Sequence, residues 1–212
     1  MGVTNKLRKN YILENSNLSC SSFLKAQGHW GHKKERLNHS FNIHLLGLKS
    51  NSAVFNPEHF IEYCKRSSIF CSKTILNRGT IFFINSDDEY RKIVIFFGSR
   101  SLQPINCDKW IGGFLTNNFF KNPCVLVTPN LDKNIYILKE ASRKLIPVIS
   151  IEDTDHNLNK PFYSILGNDD SKQSVSYFYN ILSDYIIKSS LYNHCKRKSS
   201  LYSHSKNINK RK

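Results

Sequence analysis

Acidic side chains are nearly missing from both ends of this chain. Residues 189–212 contain none, against seven Lys or Arg, and residues 1–34 contain only Glu14. Residues 1–40 hold seven basic side chains against two acids, while residues 41–188 hold seventeen against fourteen. Most of the net charge of +15 therefore sits at the extremities, and the middle has ordinary globular composition. Also missing is any apolar run near the roughly 18 residues that would span a bilayer; the longest, such as residues 93–97, read as buried pieces. The six cysteines form no C-x-x-C pair, and nothing at the start reads as a secretory signal. Reduced, mostly buried thiols are expected rather than disulfides. No G-x-G-x-x-G follows a strand and no P-loop is present, so the usual cradle of a dinucleotide or NTP enzyme is lacking. Acid scarcity in the first 34 residues is faintly like an organelle transit segment, without the arginine richness of one. Abundant Asn, Lys, Ile, Phe and Tyr point to an A/T-biased coding genome.

What is present divides into three stretches: a basic N-terminal arm (1–40), an α/β body (41–188) and a basic low-complexity tail (189–212). With 40% hydrophobic residues the body can bury a core. Its pattern alternates. Residues 52–55 form a short apolar run, and Asn56-Pro57-Glu58 then supplies an N-cap, a first-position proline and an early acid for a helix. Phe60, Ile61, Cys64, Cys71 and Ile75 share one face of that helix. Residues 80–84 (T-I-F-F-I) are the continuous β-prone run of a strand buried on both faces. Ser86 is expected to cap a helix with Tyr90, Ile93, Val94 and Phe97 inward. Residues 124–127 and 147–151 read as strands, and Ile135, Leu138, Ala141 and Leu145 as the stripe between them. A last helix is expected from about 170 to 187. Strand–helix alternation with short links predicts a parallel sheet with helices on both faces and right-handed crossovers. The tail repeats itself crudely (S-S-L-Y-N-H, then S-S-L-Y-S-H), and with so few apolar residues it is expected to be disordered unless a partner orders it.

Chemistry concentrates in three strings. Residues 109–117, K-W-I-G-G-F-L-T-N, pair an aromatic anchor (Trp110) with Gly112-Gly113, a place where the backbone turns sharply or is closely approached. Residues 28–34, G-H-W-G-H-K-K, present an aromatic and several donors beside lysines, which suits an RNA backbone; a merely solvated basic turn is the plain alternative. His29, His32 and His39 near Cys20 lack the paired spacing of a structural zinc site, so no metal is assigned. Asp153, Asp155, Asp169 and Asp170 could meet at strand carboxyl ends as an acid–base or Mg²⁺ set. Against that, Asn168 or Asp169 stands where the last helix needs an N-cap.

Together these strings resemble the small-subunit ribosomal protein S two family of bacterial type, in a divergent organellar form, over roughly residues 20–190. The resemblance rests on Ala26 with His29-Trp30-Gly31-His32, on Trp110-Ile111-Gly112-Gly113 with Leu115-Thr116-Asn117, and on Ile146-Pro147-Val148. It closes with Asp153-Thr154 and, after twelve residues, Gly167-Asn168-Asp169-Asp170. It implies a flavodoxin-like or Rossmann-like parallel sheet that binds no nucleotide and catalyses nothing. The expected partners are small-subunit rRNA, neighbouring ribosomal proteins and the mRNA exit region between head and body, with no membrane, no small-molecule substrate and no cofactor beyond a Mg²⁺ shared with rRNA. The family's long helical hairpin after the tryptophan–glycine string is absent, since only five residues separate Asn117 from Pro123.

On this reading the RNA contacts are His29, Trp30, His32, Lys33, Lys34 and Arg36 near the start, and Lys109, Trp110, Thr116 and Asn117 around the glycine pair. Lys196, Arg197, Lys198, Lys210, Arg211 and Lys212 form a basic arm, and Gly112, Gly113, Asp153, Gly167, Asn168 and Asp169 are motif positions. The expected compartment is the mitochondrion, ahead of the plastid. The rival reading is an α/β enzyme acting on RNA through an Asp153/Asp169 metal or acid–base site.

Overall fold

The computed structural model describes residues 18–117, 123–131, 134–156 and 162–209, the last stretch with side chains through residue 196. In chain order the elements are α1 (Cys20–Lys25), β1 (Trp30–Lys33), β2 (Leu45–Lys49), β3 (Ser52–Phe55), α2 (Pro57–Leu76), β4 (Ile81–Ile84), α3 (Arg91–Arg100), β5 (Ile105–Asn106), β6 (Val125–Thr128), α4 (Ile135–Arg143), β7 (Val148–Glu152), β8 (Tyr163–Leu166) and α5 (Lys172–Asn209). Two short 3-10 turns, Lys34–Arg36 and His39–His44, join β1 to β2.

The larger sheet has the order β5-β4-β6-β7-β8, and every pairing in it is parallel. Its strands are apolar on both sides, so alternate residues feed two cores. Ile81, Phe83, Val125, Val127, Ile149 and Ile151 point to one side, where they meet α2, α3 and α5 through Cys64, Cys71, Val94, Phe97, Phe178 and Leu182. Ile84, Leu126 and Val148 point to the other, where Ile137 and Ala141 of α4 and Leu115 of the preceding loop cover them. Helices on both faces of a parallel sheet are what the sequence pattern requires.

The helix α2 follows its sequence signals closely. Asn56 caps it by accepting from the Glu58 N–H at 3.0 Å, and Phe60, Cys64, Cys71 and Ile75 are buried. Elsewhere the structure departs from expectation. The helix α3 starts at Arg91 rather than after Ser86, because Asn85 and Asp87 accept backbone N–H groups of Asp87 and Glu89 and hold that acidic stretch as turns. On α4 the buried face is Ile137, Glu140 and Ala141, whereas Ile135 and Leu145 are exposed. Of the six free thiols only Cys64 and Cys71 are buried; Cys20, Cys124 and Cys195 are exposed, which corrects the expectation of mostly buried cysteines. Burial pushes the Cys64 thiol up to about 12, so it stays protonated.

The run at Ser52–Phe55 belongs to a different sheet from the one expected. It is the central strand of an antiparallel sheet of order β1-β3-β2. Ser50 and Asn51, both at positive φ (50° and 66°), form the two-residue turn between β2 and β3. Phe41, Phe55 and Leu166 make the small core beneath this sheet, with Leu37 against it, while Phe23 and Leu18 join the main core. The last helix runs to Asn209 instead of ending near 187. After Gly167 the chain contains neither glycine nor proline, so no breaker stops it. The remaining residues of the expected tail, 210–212, lie outside the described residues, as do 118–122 after the glycine string.

Four helices end on a non-glycine residue at positive φ: Gln27 after α1, Arg78 after α2, and a leucine after each of α3 and α4. Leu102 after α3 and Leu145 after α4 sit at φ 54° and 56° and are about nine-tenths exposed. Each closes a six-to-one turn, Gln103 N–H to Gly98 O at 3.1 Å and Ile146 N–H to Ala141 O at 2.9 Å. Glycine normally fills this left-handed position because it has no Cβ to strain. Leu102→Gly and Leu145→Gly are each expected to raise stability by about 0.5–1 kcal/mol, the relief of strain exceeding the added chain entropy. Urea unfolding checks this; a loss of stability in either variant would show that the leucine packs somewhere.

Candidate functional site

The first and last of the three sequence strings meet in space. The strand β7 ends at Glu152 and releases Asp153, Thr154, Asp155 and His156. Its parallel neighbour β8 ends at Leu166 and releases Gly167 to Asp170. Across these two carboxyl ends lies the turn leading into β1. His32 N–H donates to Thr154 Oγ1 at 2.9 Å, and Asn38 N–H to Thr154 O at 2.8 Å. From the other strand, Asn168 N–H donates to Gly28 O at 3.0 Å, and its side-chain amide to Gln27 O at 3.3 Å. A Cβ on Gly31 would lie 2.6 Å from the Thr154 methyl, so only glycine lets β1 pass this close.

His32 sits at the centre. Its Nδ1 is 3.2 Å from Asp153 Oδ1, and its Nε2 is 3.4 Å from Asp170 and 3.7 Å from Asp155. Contact with the Asp153 carboxylate outweighs the opposing effect of burial, and Asp155 and Asp170 add to it; the imidazole is held charged up to about 9. Deeper in, Asp169 is 3% exposed. Burial first, then the charge of Asp153, pushes its carboxyl up to about 7. Its Oδ2 accepts from the Asn130 side-chain amide, and its backbone oxygen accepts from the Tyr90 hydroxyl at 2.6 Å. His156 Nδ1 lies 3.3 Å from Glu152 Oε2, and its Nε2 lies 3.9 Å from Asp169.

His32, Asp153 and Asp155 each offer a ligand atom, and these lie within 4.8 Å of one another. A nitrogen with carboxylate oxygens suits a borderline cation such as Zn²⁺ better than Mg²⁺, and the cation would replace the proton on His32. The sequence reading assigned no metal to His32 because the histidines near Cys20 lack paired zinc spacing, and it weighed the aspartates, more than a hundred residues away, as a separate set. His29 and His39 take no part in this set. The helix-cap reading is corrected in part: Asn168 Oδ1 accepts from Asp170 and Ser171 N–H groups at 2.9 and 3.2 Å, ahead of α5. Asp169 points inward instead. Asp153 and Asp169 are brought together, as the enzyme reading required, but both are almost wholly buried.

The tryptophan–glycine string forms a separate loop over the other face of the sheet. One carboxylate organises it. Glu140 of α4, 8% exposed, accepts from Trp110 Nε1 at 3.1 Å, Gly113 N–H at 2.7 Å and Leu115 N–H at 3.1 Å. Burial would push this carboxyl up, yet the backbone donors of Gly113 and Leu115, then Trp110 and Thr116, hold it below its ordinary value. Trp110 packs at a tilt against Phe114 (5.0 Å between centroids), which lies nearly parallel to Phe82 (5.9 Å). Gly113 has φ 88°, while a Cβ on Gly112 would meet nothing within 4 Å. Gly113 is thus demanded by the turn, and the fold places no such demand on Gly112. Glu140 was missed in the sequence; its signal was an acid between Ile137 and Ala141, on the buried stripe.

The remaining expected contacts spread over the surface. Lys33, Lys34 and Arg36 are exposed beside β1, and Lys109 and Asn117 are exposed at the glycine loop; Thr116 is half-buried. His29 is half-buried 5.0 Å from Trp30, and burial, then Lys49, keeps its imidazole below its ordinary value. The Lys49 ammonium stands 5.9 Å over the Trp30 ring. Lys196 is exposed on α5; Arg197 and Lys198 follow on the same helix, and Lys210, Arg211 and Lys212 lie outside the described residues. Among the described residues no helix is long and apolar enough to cross a membrane.

Comparison with known proteins gives one family. The model of the family described as Ribosomal protein S2 matches residues 23–121 and 118–189, two pieces that join where the sequence lacks the hairpin. Small ribosomal subunit protein uS2 of Leifsonia xyli is 24% identical over 217 aligned positions, covering 79% of this chain and 73% of that protein. The corresponding protein of Francisella philomiragia is 23% identical over 213, covering 77% and 89%. Small ribosomal subunit protein uS2m of Acanthamoeba castellanii is 27% identical over 160, covering 70% of this chain and 51% of that one.

Proposed function

Because the chain belongs to the ribosomal protein S2 family, with its structural role in the small ribosomal subunit, we propose that it binds rRNA in a mitochondrial small subunit. It lies between head and body, beside the mRNA exit region and neighbouring ribosomal proteins, and carries out no reaction. The observation that carries the RNA reading is the exposed basic side chains Lys33, Lys34 and Arg36 at the end of β1, the strand whose Trp30 ring lies under the Lys49 ammonium. Cations beside a half-buried aromatic suit a phosphate backbone with an unstacked base. The buried state of Asp153 and Asp169 supports a structural centre over a catalytic one. The mitochondrial assignment is supported by the Acanthamoeba relative, the A/T-type composition and the missing hairpin. His32 is removed from the proposed direct contacts, since its ring faces three carboxylates.

The test is co-sedimentation of the tagged chain with mitochondrial small subunits, followed by crosslink mapping to rRNA. With six or more phosphate contacts, affinity for isolated rRNA is expected to fall by about 10³-fold or more between 50 and 200 mM salt. A chain that sediments free of subunits, or whose RNA binding ignores salt, would overturn the proposal.

A further inference from the structure

A second cationic surface lies far along the chain from β1, where α5 leaves the body. There α2 ends and α5 passes over it, leaving a notch of about 400 Å³. Its floor is apolar, from Ile75 and Leu76, and its rim carries Arg78, Ser190, His194 and Lys196. No acid lines it among the described residues. The last acid of α5 in the sequence is Asp184, and its carboxylate already pairs with Arg100 at 2.6 Å.

A helix carboxyl end normally repels anions, since its last carbonyls are unpaired. Here three of the last four are paired. Lys73 O accepts from Asn77 N–H, Thr74 O from Gly79 N–H, and Ile75 O from both Arg78 N–H and the Asn193 side-chain amide at 2.7 Å. Arg78 itself is held at φ 62°, just past the helix end, and is exposed. A guanidinium, a hydroxyl, an imidazole and an ammonium around one small concavity are the donors a phosphate oxygen set needs.

We propose that this notch seats a phosphodiester of the RNA backbone, with Arg78 as its principal contact and Ser190, His194 and Lys196 as the surrounding donors. The inference rests on the reading of the chain as an rRNA binder and adds a site to it. A polyanion is favoured over a small phosphate compound because cationic residues continue along the sequence. Lys196, Arg197 and Lys198 follow one another on α5, and no acid stands between Asp184 and the end of the sequence. The notch thus fixes the start of the basic arm on the nucleic acid, from which the rest of the helix runs on.

The test uses the full chain and a labelled RNA hairpin, with anisotropy read across a salt series. Arg78→Gln is expected to weaken binding about tenfold and to lower the salt slope by about one unit; Arg78→Lys should restore the slope but not all of the affinity. His194→Gln should weaken binding by a smaller factor. Arg78 is exposed, so equal melting temperatures confirm that these variants fold alike. If the parent chain binds RNA and Arg78→Gln matches it in affinity and slope, the notch is overturned while the RNA reading stands. If the parent chain does not bind RNA, both fall. If inorganic phosphate stabilises the parent but not Arg78→Gln, and RNA affinity is equal in the two, the site takes a free anion and the RNA assignment is wrong.

Discussion

Glu140→Ala is expected to destabilise the protein by about 3 kcal/mol and to loosen the loop around Trp110. The reason is the number of donors that lose their acceptor. Trp110 Nε1 and the Gly113 and Leu115 N–H groups all end on this one carboxylate. Each buried donor left unpaired costs about 1–3 kcal/mol, and the total falls short of their sum because an opened loop lets water reach some of them. Glu140→Gln is the sharper variant. An amide has one acceptor oxygen, and its NH₂ would face a second N–H donor, so a loss of about 1–2 kcal/mol is expected without any cavity. Urea unfolding gives the energy, and Trp110 emission, one of only two tryptophans, reports the loop. The carboxyl lies below its ordinary 4.5 in the folded state. Its contribution is therefore present above about pH 4.5 and disappears as pH falls through the folded value, so Glu140→Gln and the parent should converge in acid. Equal stability of the parent and Glu140→Ala at neutral pH would mean that the loop is held by its aromatic packing alone.

The second large effect is a decline in stability on the alkaline side. His32 titrates near 9 when folded against 6.5 when unfolded. A raised folded value means that the stabilisation is fully present below about pH 6.5 and is lost as pH rises through 9. Asp169 acts in the same direction at lower pH: its carboxyl moves from 3.8 to about 7, so the folded state loses ground across that interval. Because His32 is only half-buried, solvent screening reduces its share to about 1 kcal/mol between pH 6.5 and 9. His32→Gln should flatten the profile above pH 6.5 and leave the segment below it in place. A divalent cation on His32, Asp153 and Asp155 competes with that proton, so added Zn²⁺ should raise the melting temperature more at pH 8 than at pH 6. Parallel profiles for parent and His32→Gln would show that the histidine charge is not coupled to folding.

The parallel body was legible because its strands are uninterrupted apolar runs and its helices carry caps and stripes. Asn56-Pro57-Glu58 announced α2, and Ile81 to Ile84 announced a strand buried on both sides. The same reading failed at Leu145, where a helix stripe was extended two residues past the helix, and at Ser52 to Phe55, where a short β-prone run cannot say which sheet it joins. The turn at Ser50-Asn51 was the missed clue. Cysteine exposure was also misjudged, since thiol burial depends on position in the packed fold and not on the absence of a partner.

Local chemistry thus fixed the charge layout, the α/β alternation and the three strings that identify the family, because each depends on neighbours within a few residues. Only folding could bring His32 against Asp153, Asp155 and Asp170, set Glu140 under the tryptophan–glycine loop, and place Arg78 beside His194. Those pairings join residues from 25 to more than 100 positions apart. Their proximity is decided by which parallel strands lie side by side and where each one ends, a property of the assembled sheet that no stretch of sequence contains.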